Sequence, residues 1–275
     1  MDSRFRRTSQ RVKKQALKFG PIDSCRVLSE RDLDPDFLAH FGEFLSPSHK
    51  GFGYYCWKPQ VISQSLGALA EGDILVYIDG GSHLNKRGTE KFKEYVDSCR
   101  QSPSGVLAFQ TGWPEKNWSK GDLLDHFDVR NKPDVLESGQ IQAGVILFRN
   151  CRSSREFVAQ WLAVMKFDFR LIDDSPSSSP NLPGFRNHRH DQSIFSLTGK
   201  RLGITLMPAS NQEAKRSGAR TTSLEPFEHR RDIPGHQTRS ARSRMRRFKE
   251  LSNLFIVRSK RSLHALTFRT SQKLD

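Results

Sequence analysis

The chain has 275 residues, 35% of them hydrophobic, and a formal net charge of +15. This length accommodates one sizeable domain with tails, and the apolar content suffices for a core, so a globally disordered chain is excluded. No apolar run reaches the ~18 residues of a membrane-spanning helix, and residues 1–18 lack the apolar stretch of a signal peptide, so neither is expected. The cysteines at positions 25, 56, 99 and 151 are too far apart for a zinc knuckle or a CxxC pair, which favours free thiols in a reducing compartment over disulfides.

The positive charge is concentrated at the two ends of the chain. Residues 1–18 carry +6 and residues 211–275 carry +10, so the segment between them is nearly neutral. A neutral core makes nucleic acid an unfavoured partner, whereas basic ends are typical of segments that contact anionic lipid head groups. We therefore predict a basic N-terminal segment 1–18, a folded domain 19–210, and a basic, mobile C-terminal extension 211–275 with one short strand or helix near residues 253–257.

Apolar runs alternate with amphipathic periods along the predicted domain. Strands are predicted at residues 73–79, 105–109 and 143–148, a loop at 173–183, and helices at 58–69, 89–99, 154–167 and 191–200. The strand runs are continuously apolar, which indicates that helices cover both faces of the sheet. Strands that alternate with helices favour an α/β fold with a mainly parallel sheet.

The first of these strands ends in an acid and two glycines, Asp79, Gly80 and Gly81. Ligands of open α/β sheets bind beyond the carboxyl ends of the strands, and glycines allow a ligand to approach the backbone closely. A strand-end carboxylate is therefore placed to hold a divalent cation on the diphosphate of a nucleotide sugar. The alternative is a tight turn that Asp79 merely caps, because Asp-Gly-Gly is common turn chemistry.

An aromatic loop precedes the helix predicted at 58–69. It contains Tyr54 and Trp57, whose rings could stack on a nucleotide base, and Lys58, which could contact a diphosphate. The alternative, which is favoured for this segment on its own, is an aromatic loop packed under the helix with Lys58 in solvent.

Two further polar segments begin elements of the predicted domain. Gln142 and Gly144 begin the third strand, where an amide could bind sugar hydroxyls. His190 and Asp191 begin the last helix, in a His-Arg-His-Asp-Gln-Ser sequence that could bind metal or substrate or position an acceptor hydroxyl. The alternative for this sequence is a helix cap, because Asp191 or Ser193 would close the helix end.

Together these four segments resemble a group of GT-A glycosyltransferases, many of them assigned to bacterial surface-polysaccharide synthesis. The shared pattern runs in order through an aromatic loop ending in Trp-Lys-Pro, a strand Asp-Ile-Leu-x-Tyr-x-Asp-x-Gly, an Ala-Gly-Val-x-x-Phe strand and a His-x-His-Asp-Gln-Ser helix start. The matching residues lie within 54–59, 73–81, 143–148 and 188–196.

The resemblance implies a GT-A-like, Rossmann-like fold and transfer of a sugar from a nucleotide-sugar donor to a glycan or lipid-linked acceptor. It implies a divalent Mn or Mg ion on Asp79, a donor site that includes Tyr54, Trp57, Lys58, Gly80, Gly81, Gln142 and Gly144, and an acceptor side with Asp191 and His190. Such a chain with basic ends would work in the cytoplasm, peripheral to the inner face of an anionic membrane.

Two features depart from the family pattern. A full DxD motif would place a second acid at position 81, where this chain has Gly81, and no apolar run before Arg11 supplies the strand that opens GT-A folds. The alternative function is therefore a catalytically impaired GT-A-like domain whose basic ends bind an anionic partner.

Overall fold

The computed structural model describes residues 3–209, 224–229 and 254–259. The strands are β1 (Ser24–Leu28), β2 (Ile74–Ile78), β3 (Ser82–Leu84), β4 (Val106–Pro114), β5 (Gly139–Arg149), β6 (Thr205–Pro208), β7 (Phe227–His229) and β8 (Leu254–Ser259). The helical segments are α1 (Ser3–Leu17), α2 (Pro35–Phe41), α3 (Gly51–Tyr54), α4 (Trp57–Gly67), α5 (Thr89–Gln101), α6 (Gly121–His126), α7 (Pro133–Leu136), α8 (Arg152–Phe167) and α9 (Asp191–Leu202). Within the described ranges the predicted elements are therefore found close to their predicted bounds, and residues 173–183 form a loop.

The main sheet is mixed rather than mainly parallel. Its six strands lie in the order β1-β8-β2-β5-β4-β6, and β4 with β6 is the one parallel pair among the described strands. The other four neighbouring pairs are antiparallel. The α/β class is confirmed, but the expected parallel pairing is not. A continuous apolar run reports that both faces of a strand are covered, and it carries no information on strand direction.

Helices cover both faces of this sheet. Along β2, Leu75 and Tyr77 face a core that includes residues of α4, α8 and α9, whereas Ile74, Val76 and Ile78 face a second core with residues of α1 and α5. Successive side chains of a strand point to opposite faces, so a strand between two cores has to be apolar at every position. This arrangement explains the run on which the strand prediction was based.

A strand also precedes β2, although the sequence predicted none at that point. β1 lies at the edge of the sheet, and its residues alternate between buried and exposed positions, with Ser24 and Arg26 among them. An edge strand of five residues with two polar side chains gives no continuous apolar run, which is why the sequence pattern did not indicate it.

Both basic ends of the chain contribute to the folded domain. In α1, Val12 and Ala16 are buried against the second core, and β8 lies between β1 and β2 within the main sheet. From the segment predicted as a mobile extension, Phe227 of β7 packs its ring against Phe92 and Phe109. The remainder of residues 211–275 lies outside the described residues. Among the helices that are described, none has the length and apolar character needed to span a bilayer.

The burial of Phe227 predicts that the C-terminal segment stabilises the domain. Phe227→Ala should lower the free energy of unfolding by about 3–5 kcal/mol, because it removes a fully buried ring from an aromatic cluster. Leu224→Ala, at an exposed position three residues earlier, is the matched control and should change it by less than ~0.5 kcal/mol. Urea unfolding measures both, and equal values for the two variants would show that this segment does not pack on the core.

Candidate functional site

All four of the predicted motifs meet at the carboxyl end of β2. The ammonium of Lys58, from the start of α4, lies 3.3 Å from Oδ1 of Asp79 and 2.8 Å from Oδ2 of Asp191. The same Nζ also donates to the carbonyl oxygen of Ala143 on β5, at 3.2 Å. Side chains that are distant in sequence thus form one cluster, which we call the Lys58 triad (Lys58, Asp79 and Asp191).

Lys58 is held away from water by aromatic rings. Its ammonium lies 5.0 Å from the ring centroid of Tyr55 and 5.5 Å from that of Tyr77, and the side chain is almost fully buried. Burial lowers the pKa of Lys58, but the carboxylates of Asp191 and Asp79 outweigh burial and raise it, so the ammonium stays charged. The alternative of Lys58 in solvent is therefore wrong, and its donors are directed to protein oxygens, so its contact with a diphosphate stays a prediction.

The two carboxylates of the triad have different environments. Asp191 is buried, and burial raises its pKa to about 6 in spite of the neighbouring Lys58. Its backbone carbonyl accepts a hydrogen bond from Nε1 of Trp161 at 3.2 Å. The side chain of Asp79 is 34% exposed and accepts a hydrogen bond from the hydroxyl of Tyr77. Asp79 is therefore the member of the triad that a ligand can reach.

The turn after Asp79 is braced by backbone contacts. The amide of Asp79 donates to the carbonyl oxygen of Gly144 at 2.8 Å. The guanidinium of Arg11, from α1, donates to the carbonyl oxygens of Gly80 and Ser82, each at 3.1 Å. Gly81 is exposed, and a Cβ atom at this position would meet no atom within 4 Å. The glycine is therefore not required by packing.

The described residues contain no group of three side chains placed to hold a metal ion. With two carboxylates and one ammonium, the triad has a formal charge of −1, and its exposed member is an oxygen donor. Mg²⁺ is commonly bound by one or two carboxylates together with substrate phosphates and water, rather than by a cage of protein ligands. Asp79 fits a shared site of that kind.

The aromatic loop before α4 has an unusual backbone. Residues 51–55, which include the short segment α3, all have positive φ and thus form a left-handed turn. The non-glycine residues Phe52, Tyr54 and Tyr55 have φ values of 55°, 53° and 67°. Left-handed conformation costs roughly 1–2 kcal/mol for each L-residue, and such strain persists where the surroundings enforce it, often at functional sites. This loop ends next to Lys58, so it fixes the position from which α4 begins.

The aromatic residues predicted to bind a nucleotide are placed differently from one another. Trp57 lies in the core, and its Nε1 donates to the carbonyl oxygen of Gly51 at 3.0 Å, so the packing alternative holds for this ring. Tyr54 is half-buried, with its ring 5.1 Å from His190 and 5.6 Å from His49. Tyr55 is also half-buried, so both tyrosines, like Phe52, are partly accessible rings of the loop.

His190 does not join the triad. Its Nδ1 is 2.8 Å from the carbonyl oxygen of Ile172, its Nε2 is 3.5 Å from Asp174, and its φ is 55°. Burial and the charge of Lys50 lower the pKa of His190 to about 4, so the ring is neutral near pH 7. In these contacts His190 ties the loop at residues 172–174 to the start of α9.

On β5, the structure separates the predicted polar residues by role. Gly144 binds the backbone of Asp79, and Gln142 is buried. The neighbouring Gln140 donates to Glu115 and Ser193 at 3.1 and 3.0 Å in a buried network that anchors α9 to β5. Sequence analysis missed Glu115 and Tyr77, and the signal for Tyr77 was available, since it is the one hydroxyl in an otherwise apolar strand.

The triad predicts a pH-dependent cost of removing its ammonium. Lys58→Met should destabilise the protein by about 3–5 kcal/mol near pH 7.5, because two carboxylates are left without their counter-ion. The variant also loses the interaction that lowers the pKa of Asp191, so this pKa rises beyond its present value of about 6. In the unfolded chain Asp191 releases its proton near pH 4, whereas in the folded variant it keeps that proton up to its raised pKa. The free energy of unfolding of the variant should therefore fall as pH rises from about 4 to that raised pKa.

Urea unfolding at about pH 5 and about pH 7.5 measures this effect. Lys116→Met is the matched control, because Lys116 pairs with Glu137 at the surface and should contribute less than ~1 kcal/mol at either pH. Asp191→Asn placed in the Lys58→Met background should recover part of the loss at the higher pH. If that double variant were no more stable than Lys58→Met, the buried charge of Asp191 would not be the cause.

Comparison of the chain with protein-family models, with curated proteins and with solved structures found no significant match.

Proposed function

We propose that this chain is a glycosyltransferase that moves a sugar from a nucleotide-sugar donor to a glycan or lipid-linked acceptor, in polysaccharide biosynthesis. The observation that carries the proposal is the Lys58 triad, in which the lysine of Trp-Lys-Pro contacts an aspartate from each of two other motifs. Motifs that were linked only by their order in the sequence form a single cluster at a strand end, where ligands of α/β proteins bind.

Asp79 is the residue that would face the donor diphosphate. Its carboxylate is partly exposed while the rest of the triad is buried, and Gly81, two residues later, leaves room for a ligand at the backbone. A divalent Mn or Mg ion held there by Asp79 and phosphate oxygens would neutralise the charge that develops on the leaving nucleotide. Tyr54 and Tyr55 would pack against the nucleoside.

Lys58 and Asp191 act as positioning residues in this proposal. Lys58 holds the carboxylate of Asp79 in place through Oδ1, and Asp191 neutralises the charge of the Lys58 ammonium. Both side chains are almost fully buried, so neither would need to touch the sugar to affect transfer. His190 would hold the loop beside the site through Ile172, on the acceptor side.

The location of the acceptor follows from charge in the same proposal. The basic ends would hold the protein at the inner face of an anionic membrane, where a lipid-linked acceptor lies, in the cytoplasm. The competing function, an impaired GT-A-like domain with an anionic partner, differs in one measurable respect: it would bind no donor.

The proposal predicts that one nucleotide sugar stabilises the protein against heat. A thermal-shift panel of nucleotide sugars, with and without Mn²⁺, should give a shift with one donor that the metal enlarges. Asp79→Asn should abolish the shift and hydrolysis of that donor while leaving the melting temperature of the ligand-free protein nearly unchanged. Asp97→Asn, at a surface aspartate paired with Arg100 on α5, is the control and should retain the shift.

The outcomes separate the two functions. A shift that Asp79→Asn retains would remove Asp79 from the donor site. If no donor produced a shift, the transferase proposal would be rejected in favour of the impaired domain, whose basic ends should then bind anionic vesicles with a steep dependence on salt.

The open space at position 81 leads to a second test of the metal site. Gly81→Asp restores the second acid of a DxD motif, and no atom lies within 4 Å of the added Cβ. We expect Mn²⁺ to bind this variant about tenfold more tightly, equivalent to ~1.4 kcal/mol. Calorimetric titration with Mn²⁺ alone measures this, and Gly81→Asn is the control of equal size. Equal Mn²⁺ affinity in the two variants would mean that the turn does not present its side chains to the metal.

A further inference from the structure

A second surface lies at the same end of the sheet as Asp79, the end at which β2 and β4 both terminate. It consists of two tryptophans, Trp113 and Trp118, whose ring centroids are 5.6 Å apart, and of two arginines, Arg186 and Arg189. Trp113 is 37% exposed, and Trp118 is partly exposed. We call these four residues the tryptophan patch.

The arginines are packed on the indole rings. The guanidinium carbon of Arg189 lies 4.7 Å from the ring centroid of Trp113 and 4.4 Å from that of Trp118. The guanidinium of Arg186 lies 5.9 Å from Trp118, and this residue is exposed. Each such contact stabilises by roughly 0.5–1 kcal/mol at a surface. The rings are therefore held in place before any ligand arrives.

The patch also borders a cavity. Trp113 lines a space of about 420 Å³ alongside the carboxyl-terminal parts of β4 and β6, together with Thr111, Gly112 and Met207. A cavity of this size is within the range that holds a small ligand or one to two sugar rings. It is formed at the parallel pair of the sheet, where strand ends of the same polarity meet.

The position relative to Asp79 follows from the strand register. The amide of Asp79 bonds to Gly144, and Pro114, which follows Trp113, pairs with Gly139. The patch is thus displaced by four to five residues along β5, or about 13–17 Å at the ~3.3 Å rise of a strand residue. This is the length of two to three sugar units. Between the two lie the side chains of β5 that include Gln140, which binds Gln192 at 2.7 Å.

We infer that the tryptophan patch binds an anionic saccharide and presents its end to the donor site. Partly exposed indole rings suit the apolar faces of sugar rings, and the exposed guanidinium of Arg186 suits a carboxylate or phosphate substituent. The nearby Lys116 and Glu137 pair with each other, and the exposed Arg186 is the cationic group that the patch offers to an anion. This inference rests on the proposed function, since it assigns the acceptor of the same transfer.

Stacking aromatics with arginines also occur where proteins bind single-stranded nucleic acid. Such sites extend along a charged groove for several nucleotides, whereas this patch is a single aromatic pair, and the segment between the basic ends is nearly neutral. A saccharide is therefore the favoured occupant, and an oligonucleotide is an arm of the test.

Tryptophan fluorescence gives a built-in readout. The chain has four tryptophans, and Trp57 and Trp161 are 1% and 0% exposed, so a ligand at the surface should alter the emission of Trp113 and Trp118. The full chain is titrated with hexagalacturonate, with a phosphorylated mannose oligosaccharide, with neutral maltohexaose and with oligothymidylate. We expect the anionic saccharides to change the emission saturably and to bind at least about tenfold more tightly than maltohexaose, a difference of ~1.4 kcal/mol. The two anionic arms distinguish a carboxylate from a phosphate.

Variants locate the binding. Trp113→Ala and Arg186→Gln should each weaken binding of the preferred anionic saccharide about tenfold or more, because each removes a side chain that contacts it in this proposal. Both side chains are exposed, so the fold should remain intact. Phe167→Ala and Arg152→Gln remove an exposed ring and an exposed arginine elsewhere and should leave binding unchanged. The thermal shift with a nucleotide sugar should persist in all four variants.

Binding that survives both patch variants, a stronger response to oligothymidylate, or no response to any saccharide would overturn the inference. Failure here with a retained donor shift would leave the proposed function standing with an acceptor bound elsewhere. Saccharide binding without any donor shift would support the patch and reject the transferase.

Discussion

Lys58 is charged and almost fully buried, and an ammonium in that position is tolerated only while its donors are met by charged or polar oxygens. Asp191 from α9, Asp79 from the end of β2 and the carbonyl oxygen of Ala143 on β5 meet them. Four elements are therefore held in fixed relation by one side chain. The uncompensated burial of an ion costs several kcal/mol, so a shift of any one of these elements would be opposed by the electrostatics of all the others. The geometry at the end of β2 is rigid for this reason.

The same cluster has an inner and an outer face that differ in charge. Inside, Asp191 and Lys58 neutralise each other, and Trp161 and the rings of Tyr55 and Tyr77 exclude water. Outside, the carboxylate of Asp79 remains as a net negative charge at an open turn. The strained loop at residues 51–55 ends next to Lys58 and so sets the position of its ammonium. The packing around the triad therefore enforces a backbone conformation that an ordinary surface loop would not keep.

The longer strands and helices between residues 57 and 202 followed from sequence pattern, because their apolar runs and helical periods are clear. The short elements β3, α6 and α7 in the same range gave no such pattern. Strand direction did not follow, since an apolar run is the same in either direction. The family resemblance implied that Lys58, Asp79 and Asp191 share a site, but not that Lys58 would point to the two carboxylates. A lysine between a tryptophan and a proline is equally compatible with a solvent-exposed and a buried side chain. Lys58 is buried because the start of α4 is packed in the core, which the sequence pattern does not report. Trp57 shows the converse, because an aromatic residue next to a site is as often core as ligand contact.

Sequence composition was least informative about the structural role of the two basic ends. Arg11 counts toward the charge of the N-terminal segment, yet it donates to the carbonyl oxygens of Gly80 and Ser82 and so supports the turn that follows Asp79. β8, from the other basic end, lies directly beside β2. Net charge reports how many basic side chains a segment has, and it does not distinguish those that meet an anionic partner from those that meet backbone carbonyls. Removing either end to test for membrane binding would therefore also disturb the strand that carries Asp79, and charge-reversing substitutions at exposed positions separate the two effects where truncation does not.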